Sequence, residues 1–157
     1  MEELTLKSLI RVCQKQELDE KEAHLVDLAI QATHNSYAPY SHFHVGAALL
    51  LANGICVTGC NQENAVLPAG ICAERAAIFS AGAQYPDQAV LMLAIAARDG
   101  KGELTKDPVS PCGICRQVII ETEIRFKQPI KILLYGAEKT YIVEGINELM
   151  PLAFTDF

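Results

Sequence analysis

Val90 to Ala97 is an unbroken apolar run, short and rich in Ala. No apolar run in the chain approaches the roughly 18–20 residues that cross a bilayer. A run of this length reads as a buried strand. Helical patterns lie on both sides of it in sequence. Asp19 can cap a helix from about Glu20 to Thr33, in which Leu25, Leu28, Ala29 and Ala32 share one face. Two more helices are predicted from about Cys72 to Ala83 and from about Cys112 to Glu123. Phe43 to Leu51 and Ile55 to Gly59 read as strands joined at Asn53-Gly54, a strong hairpin signal. Ile130 to Tyr135 and Tyr141 to Val143 read as further strands, with Gly136 to Thr140 turning between them. Leu4 to Cys13 is predicted as a short helix, and a last helix from about Ile146 ends at Pro151. Helices between strands predict an α/β sandwich on a mixed sheet whose first hairpin is antiparallel.

The 157 residues show no internal repeat, linker or composition break, so one domain over 1–157 is expected. Half the residues are hydrophobic and 20% are charged, which excludes disorder as the main state. A net charge of -6 argues against a nucleic-acid binder held by a general basic surface. Met1 to Lys7 lacks the basic-then-apolar order of a signal peptide, so a cytoplasmic location is expected. There the six cysteines stay reduced, and spacing decides whether they are core filler, metal ligands or catalytic groups. The low charge content also points to subunits packed together.

Three cysteines stand at predicted helix starts. Cys72 opens Cys72-Ala73-Glu74-Arg75, and the other two lie in Pro111-Cys112-Gly113-Ile114-Cys115. Unpaired N–H groups and the helix dipole favour the thiolate at such a start. Cys112 and Cys115 share one helical face. Three thiolates converging from two helix starts make a Zn²⁺ cage with one position open, the mark of a catalytic zinc. Bound zinc lowers a water's pKa from 15.7 to roughly 7–9, so hydroxide is available at neutral pH. Glu74 can face the open side and move that water's proton. Arg75 can sit beside the thiolates and offset their charge. The same Cys-x-x-Cys spacing also serves structural zinc sites and redox motifs, and a fourth Cys or His would favour a structural site. Cys56 and Cys60 have no metal-like spacing and read as packing, and Cys13 reads as a helix or surface thiol. His24 reads as an exposed helix residue. His34, His42 and His44 flank a loop and a strand, where packing or solvation competes with substrate contact.

Cys-Ala-Glu-Arg followed by Pro-Cys-x-x-Cys resembles the zinc-dependent nucleoside deaminases, specifically the small homotetrameric cytidine deaminases. Other segments resemble the family in the same order: Pro39 to Phe43, Val45 to Leu49, Gly59 to Ala65, Ser110 to Val118, and Glu148 to Pro151 with Phe154. The resemblance implies a three-layer α-β-α sandwich around a mixed five-stranded sheet. It implies hydrolysis of free cytidine and deoxycytidine to uridine and deoxyuridine with release of ammonia, a step of pyrimidine salvage. One Zn²⁺ per subunit would sit on Cys72, Cys112 and Cys115, and zinc-activated hydroxide would attack C4. Glu74 would protonate N3 and then deliver a proton to the departing ammonia. Asn61 and Glu63 match the pair that holds the ribose 3′-hydroxyl, and Phe43 matches the aromatic packed against the nucleoside. The Ala73 N–H would bind the pyrimidine carbonyl, and the Ser110 carbonyl would accept from the amino group. Phe154 matches an aromatic supplied by a neighbouring subunit, so the resemblance implies active sites completed in a homotetramer.

The chain departs from the family pattern at four places. Leu67 stands where Tyr is often found, Ile114 replaces a small Ala, Ala76 replaces Thr, and Gln62 stands where an aliphatic residue is frequent. None is an expected metal ligand or proton shuttle, so these positions bear on fine substrate preference. Two other function classes compete. A polynucleotide deaminase needs basic surface and aromatic platforms, whereas this chain is acidic and has no Trp. A structural zinc module needs a fourth protein ligand.

Overall fold

The structure, a computed structural model, describes residues 1–155. Among these, six strands form one sheet: β1 (Arg11–Cys13), β2 (His44–Leu51), β3 (Cys56–Cys60), β4 (Val90–Arg98), β5 (Lys131–Tyr135) and β6 (Thr140–Glu144). Their order is β1-β6-β5-β4-β2-β3. β4 and β5 run parallel, and the other neighbours are antiparallel. Three α-helices cover the sheet: α1 (Glu20–Ala32), α2 (Ala73–Gln84) and α3 (Gly113–Phe126). The parallel pair is joined through α3, because parallel neighbours need a crossover rather than a tight turn.

Successive strand side chains point to opposite faces, so the central strands must be apolar on both. Ala47, Leu49, Leu93, Ile95, Ile132 and Leu134 join the core cluster that holds Ala73, Ala77 and Ile119 of α2 and α3. Ala48, Ala94, Ala96 and Leu133 join Leu25, Val26 and Ala29 of α1 on the other side. The unbroken run Val90 to Ala97 is thereby explained, and the three layers are those expected. Two glycines set how closely the helices approach. A Cβ at Gly46 would stand 2.1 Å from the Ala29 carbonyl oxygen of α1. A Cβ at Gly59 would stand 2.5 Å from the Ala77 nitrogen and 2.6 Å from the Ala73 carbonyl oxygen of α2. Helix backbone lies directly on strand backbone at both points, and the second contact seats the start of α2.

Two sequence expectations are corrected. The helix expected over Leu4 to Cys13 is absent, and Arg11–Cys13 instead pairs with β6 as a sixth strand where five were expected. The unpaired edge of β6 offers hydrogen bonds that outweigh the weak helical preference of a short segment. The helix expected from Ile146 to Pro151 shrinks to a 3₁₀ turn, Ile146–Glu148. Pro151 disfavours the helical conformation in the residue before it and so removes the room for a second turn. The Asn53-Gly54 hairpin forms as expected, with Gly54 at φ 83° and the Asn53 side chain accepting from the Ile55 N–H at 3.1 Å. α3 runs one turn beyond its expected end and stops at Lys127, which adopts a left-handed φ of 50°.

Candidate active site

α2 and α3 begin at the same end of the sheet, and each begins on a cysteine. Cys72 is the N-cap of α2 and Cys112 the N-cap of α3, and neither side chain makes a capping hydrogen bond. Cys115 lies in the first turn of α3 and is buried. The Cys72 and Cys112 sulfurs are 3.8 Å apart, those of Cys112 and Cys115 are 3.4 Å apart, and all three lie within 4.8 Å of one another. Tetrahedral zinc with Zn–S bonds of ~2.3 Å places its sulfurs ~3.8 Å apart, so the three thiols fit one face of such an ion. Among the described residues the cluster that could hold a metal consists of these three cysteines.

The electrostatics of the cluster favour a thiolate. A hydrogen bond from Cys115, with others from Arg75 and Cys112, pulls the Cys72 thiol down to about 5 against the opposing effect of burial. Cys115 moves the other way, because its proton is held in the bond to Cys72 and it is itself buried. The Arg75 Nη2 lies 3.6 Å from the Cys72 sulfur, and Arg75 Nε is buried with no hydrogen-bond partner among the described residues. Glu74, one residue before Arg75, is 4% exposed. Burial raises its carboxyl above the usual carboxylate range, and the Cys72 thiolate raises it further. Such a group holds a proton more readily than an ordinary glutamate and can return it.

A cavity of about 520 Å³ opens beside Cys72 and Arg75 and reaches Asn61, Glu63, Tyr40 and Leu67. Its far wall is stitched together by backbone. Gln62 exchanges both hydrogen bonds with Ile71 at 2.9 Å, which ties the 61–64 loop to the residue before Cys72. Tyr37 donates to the Asn61 carbonyl at 3.0 Å and accepts from Glu63 N–H at 2.8 Å. The Asn61 side chain accepts from Val45 N–H at 2.8 Å and donates to the Phe43 carbonyl at 2.9 Å, which settles its orientation and leaves one N–H uncommitted. Glu63 accepts with one oxygen from the Tyr40 and Ser41 N–H groups, at 2.9 and 3.3 Å. The Ser41 hydroxyl and these amides hold its carboxyl below the usual range.

This arrangement of thiols, buried acid and polar cavity can be set beside known proteins. Residues 19–127 match the family model described as the cytidine and deoxycytidylate deaminase zinc-binding region. The chain belongs to this family. A cytidine deaminase of Halalkalibacterium halodurans is 39% identical over 131 residues, covering 83% of this chain and 92% of the relative. One from Mycobacterium tuberculosis is 40% identical over 106 residues, 66% of this chain and 74% of the relative. Among solved structures, cytidine deaminase from Burkholderia pseudomallei superposes with a TM-score of 0.72 at 35% identity, covering 87% of this chain and all of that one. As a family member the protein is a zinc-binding hydrolase of C–N bonds, and Cys72, Cys112 and Cys115 are the residues positioned for its metal.

The other expected site residues are distributed around this centre. Phe43 is half-buried just before β2, and Ala73 is buried as the first residue of α2. Ser110 is exposed two residues before Cys112. Phe154 is 64% exposed, and its carbonyl accepts from Gln117 Nε2 at 3.1 Å. None of these four lines the cavity beside Cys72, whereas Asn61 and Glu63 do. Leu67 is 82% exposed on its rim, and Gln62 donates to the Asn35 carbonyl and to Cys60. His42 is exposed, His44 meets the Ser36 hydroxyl and His34 meets Arg98, so no histidine joins the metal cluster. Cys13, Cys56 and Cys60 are half-buried in strands, and His24 is exposed. The sequence reading missed Tyr40 and Ser41 as anchors of Glu63. Both donate backbone N–H groups, which carry no residue signature, and Ser41 adds its hydroxyl.

Proposed function

We propose that this protein hydrolyses free cytidine and deoxycytidine to uridine and deoxyuridine with loss of ammonia. The observation that carries the reading is the buried Glu74, its carboxyl raised, beside three sulfurs spaced for one zinc ion. Zinc held there supplies Lewis-acid activation of the water that adds at C4. Glu74 takes the water's proton, gives it to N3 and then carries a proton to the departing nitrogen, so cytidine and water become uridine and ammonia. The Ala73 N–H binds the pyrimidine carbonyl, and the Ser110 carbonyl accepts from the amino group. Arg75 partly neutralises the sulfur charge, which would preserve the metal's power to acidify a water bound there. Asn61 and Glu63 divide the sugar hydroxyl between them. The uncommitted Asn61 N–H donates to it, and the second Glu63 oxygen accepts from it.

Phe43 packs against the nucleoside. Phe154 covers the base of a neighbouring subunit in a homotetramer with one zinc per subunit. The exposed apolar residues Tyr40, Leu67, Phe79, Ile114 and Phe154 support such an assembly. The chain acts as one domain in the cytoplasm, in pyrimidine salvage. No helix among the described residues is long and apolar enough to cross a membrane. The test is to follow cytidine absorbance with and without a zinc chelator. Conversion that stops with chelation is expected. An inert response to free cytidine, beside conversion of single-stranded DNA, would replace this reading with a polynucleotide deaminase.

A further inference from the structure

We propose that Arg116 and Gln117 are positioning residues that clamp the C-terminal segment carrying Phe154 to the zinc-binding turn of α3. The inference rests on the deaminase reading for what that segment covers. Arg116 directly follows the ligand Cys115. Its Nε donates to the Pro111 carbonyl at 2.9 Å, one residue before the ligand Cys112. Its Nη1 donates to the Leu149 carbonyl, in the stretch that follows the 3₁₀ turn Ile146–Glu148. Gln117 then donates to the Phe154 carbonyl at 3.1 Å. Two successive side chains therefore hold both ends of the 149–154 stretch.

That stretch lies outside regular secondary structure, and Leu152 adopts a left-handed φ of 56°. Met150 and Ala153 pack against the core, while Pro151 and Leu152 are exposed. The two donated carbonyl contacts add to that packing and tie the stretch to the metal turn. The planar guanidinium suits the first of these, because two of its nitrogens donate in fixed, divergent directions. A lysine ammonium keeps the charge but reaches only one of the two carbonyls from its flexible stem. One side chain thus couples the geometry of the ligand turn to the placement of the segment that ends in Phe154.

The test compares Arg116→Lys and Gln117→Ala with the wild type, each as zinc-loaded full chain. Three readouts are zinc release to a chelator, hydrogen exchange of residues 149–155, and KM and kcat for cytidine. Arg116→Lys is expected to release zinc about tenfold faster, the lower end of the effect of losing an outer hydrogen bond at a metal site. It should also exchange faster over 149–155. Gln117→Ala should exchange faster there too, and KM should rise about fivefold, the loss of one neutral hydrogen bond, with a smaller change in kcat. Wild-type zinc release and exchange in Arg116→Lys would overturn the clamp. Faster exchange with unchanged KM in Gln117→Ala would overturn the link to substrate. A wild type inactive on cytidine would refute the proposed function, while the release and exchange readouts would still decide whether the clamp exists.

Discussion

α1 and α2 each carry a buried glutamate in their first turn, and the two are in opposite circumstances. Glu22 of α1 is 7% exposed, and its carboxylate is fully engaged. One oxygen accepts from the Asp19 N–H at 3.1 Å and the other from Lys131 Nζ at 3.0 Å. Asp19 in turn caps the helix by accepting from the Glu22 N–H at 2.9 Å. Glu74 of α2 is 4% exposed, and among the described residues no Lys or Arg forms an ion pair with it. Its N-cap is Cys72, which makes no capping bond. A cation and a capping amide make Glu22 a structural brace. Burial beside a thiolate raises the Glu74 carboxyl and suits it to the proton-carrying role proposed above. The same residue type in the first turn of a helix takes its role from its partners. At α2 and α3 the cap position is given to sulfur, which forgoes the ~1 kcal/mol that a good N-cap contributes.

The sharpest way to break this contrast is to exchange each carboxylate for its amide. Glu74→Gln should keep zinc by metal analysis and lose ~10²–10⁴ in kcat, the usual worth of a general acid–base group. Glu22→Gln should turn over cytidine at close to the wild-type rate, and an equal loss in both variants would erase the distinction. Next in size, Glu22→Ala removes both the capping box and the contact to Lys131. A fall of about 2 kcal/mol in unfolding free energy is expected, measured from denaturant midpoints at unchanged slope. Smaller still is the effect of restoring a cap. Cys112→Ser should bind no zinc, yet in metal-free protein it should match or exceed the wild type by up to ~1 kcal/mol, because a serine hydroxyl caps where sulfur does not. Lower stability of metal-free Cys112→Ser would show that the cysteine is already a structural cap.

The smallest expected effect is in alkaline titration. Glu22 raises the Lys131 pKa above the ordinary 10.5, through their hydrogen bond first and their charges second. A raised folded pKa stabilises the fold fully below the unfolded value, and that stabilisation fades as pH climbs through the folded value. Wild-type stability should therefore fall above about pH 10.5 more steeply than that of Glu22→Ala. Parallel curves would mean that the pair contributes nothing, as solvent screening of the half-buried Lys131 would allow.

Much of the fold and the metal centre was legible because its signals are local. The Asp19 cap, the one-sided spacing of Leu25, Ala29 and Ala32, and the Asn53-Gly54 turn each depend on residues within a few positions of one another. The metal cluster was legible for a related reason. A helix start fixes where a thiol points, and two such starts on one side of a sheet bring Cys72 to Cys112 across 40 residues. β1 was not legible, since Arg11–Cys13 owes its conformation to the edge of β6 rather than to its own side chains. The last helix failed for the converse reason: its residues suit a helix, but Pro151 stops it after a single 3₁₀ turn.

The residue pattern alone determined the alternation of helices and strands, the helix starts and the identity of the sulfur ligands, because periodicity, capping and ligand chemistry act over short spans of chain. Tertiary structure alone decided how the cavity is walled and what holds its polar groups. Asn61 is oriented by Val45 and Phe43, Glu63 by the amides of Tyr40 and Ser41, and Arg116 by carbonyls at Pro111 and Leu149. Most of these partners are backbone groups, which every residue carries alike, so only the folded path of the chain selects which of them meet.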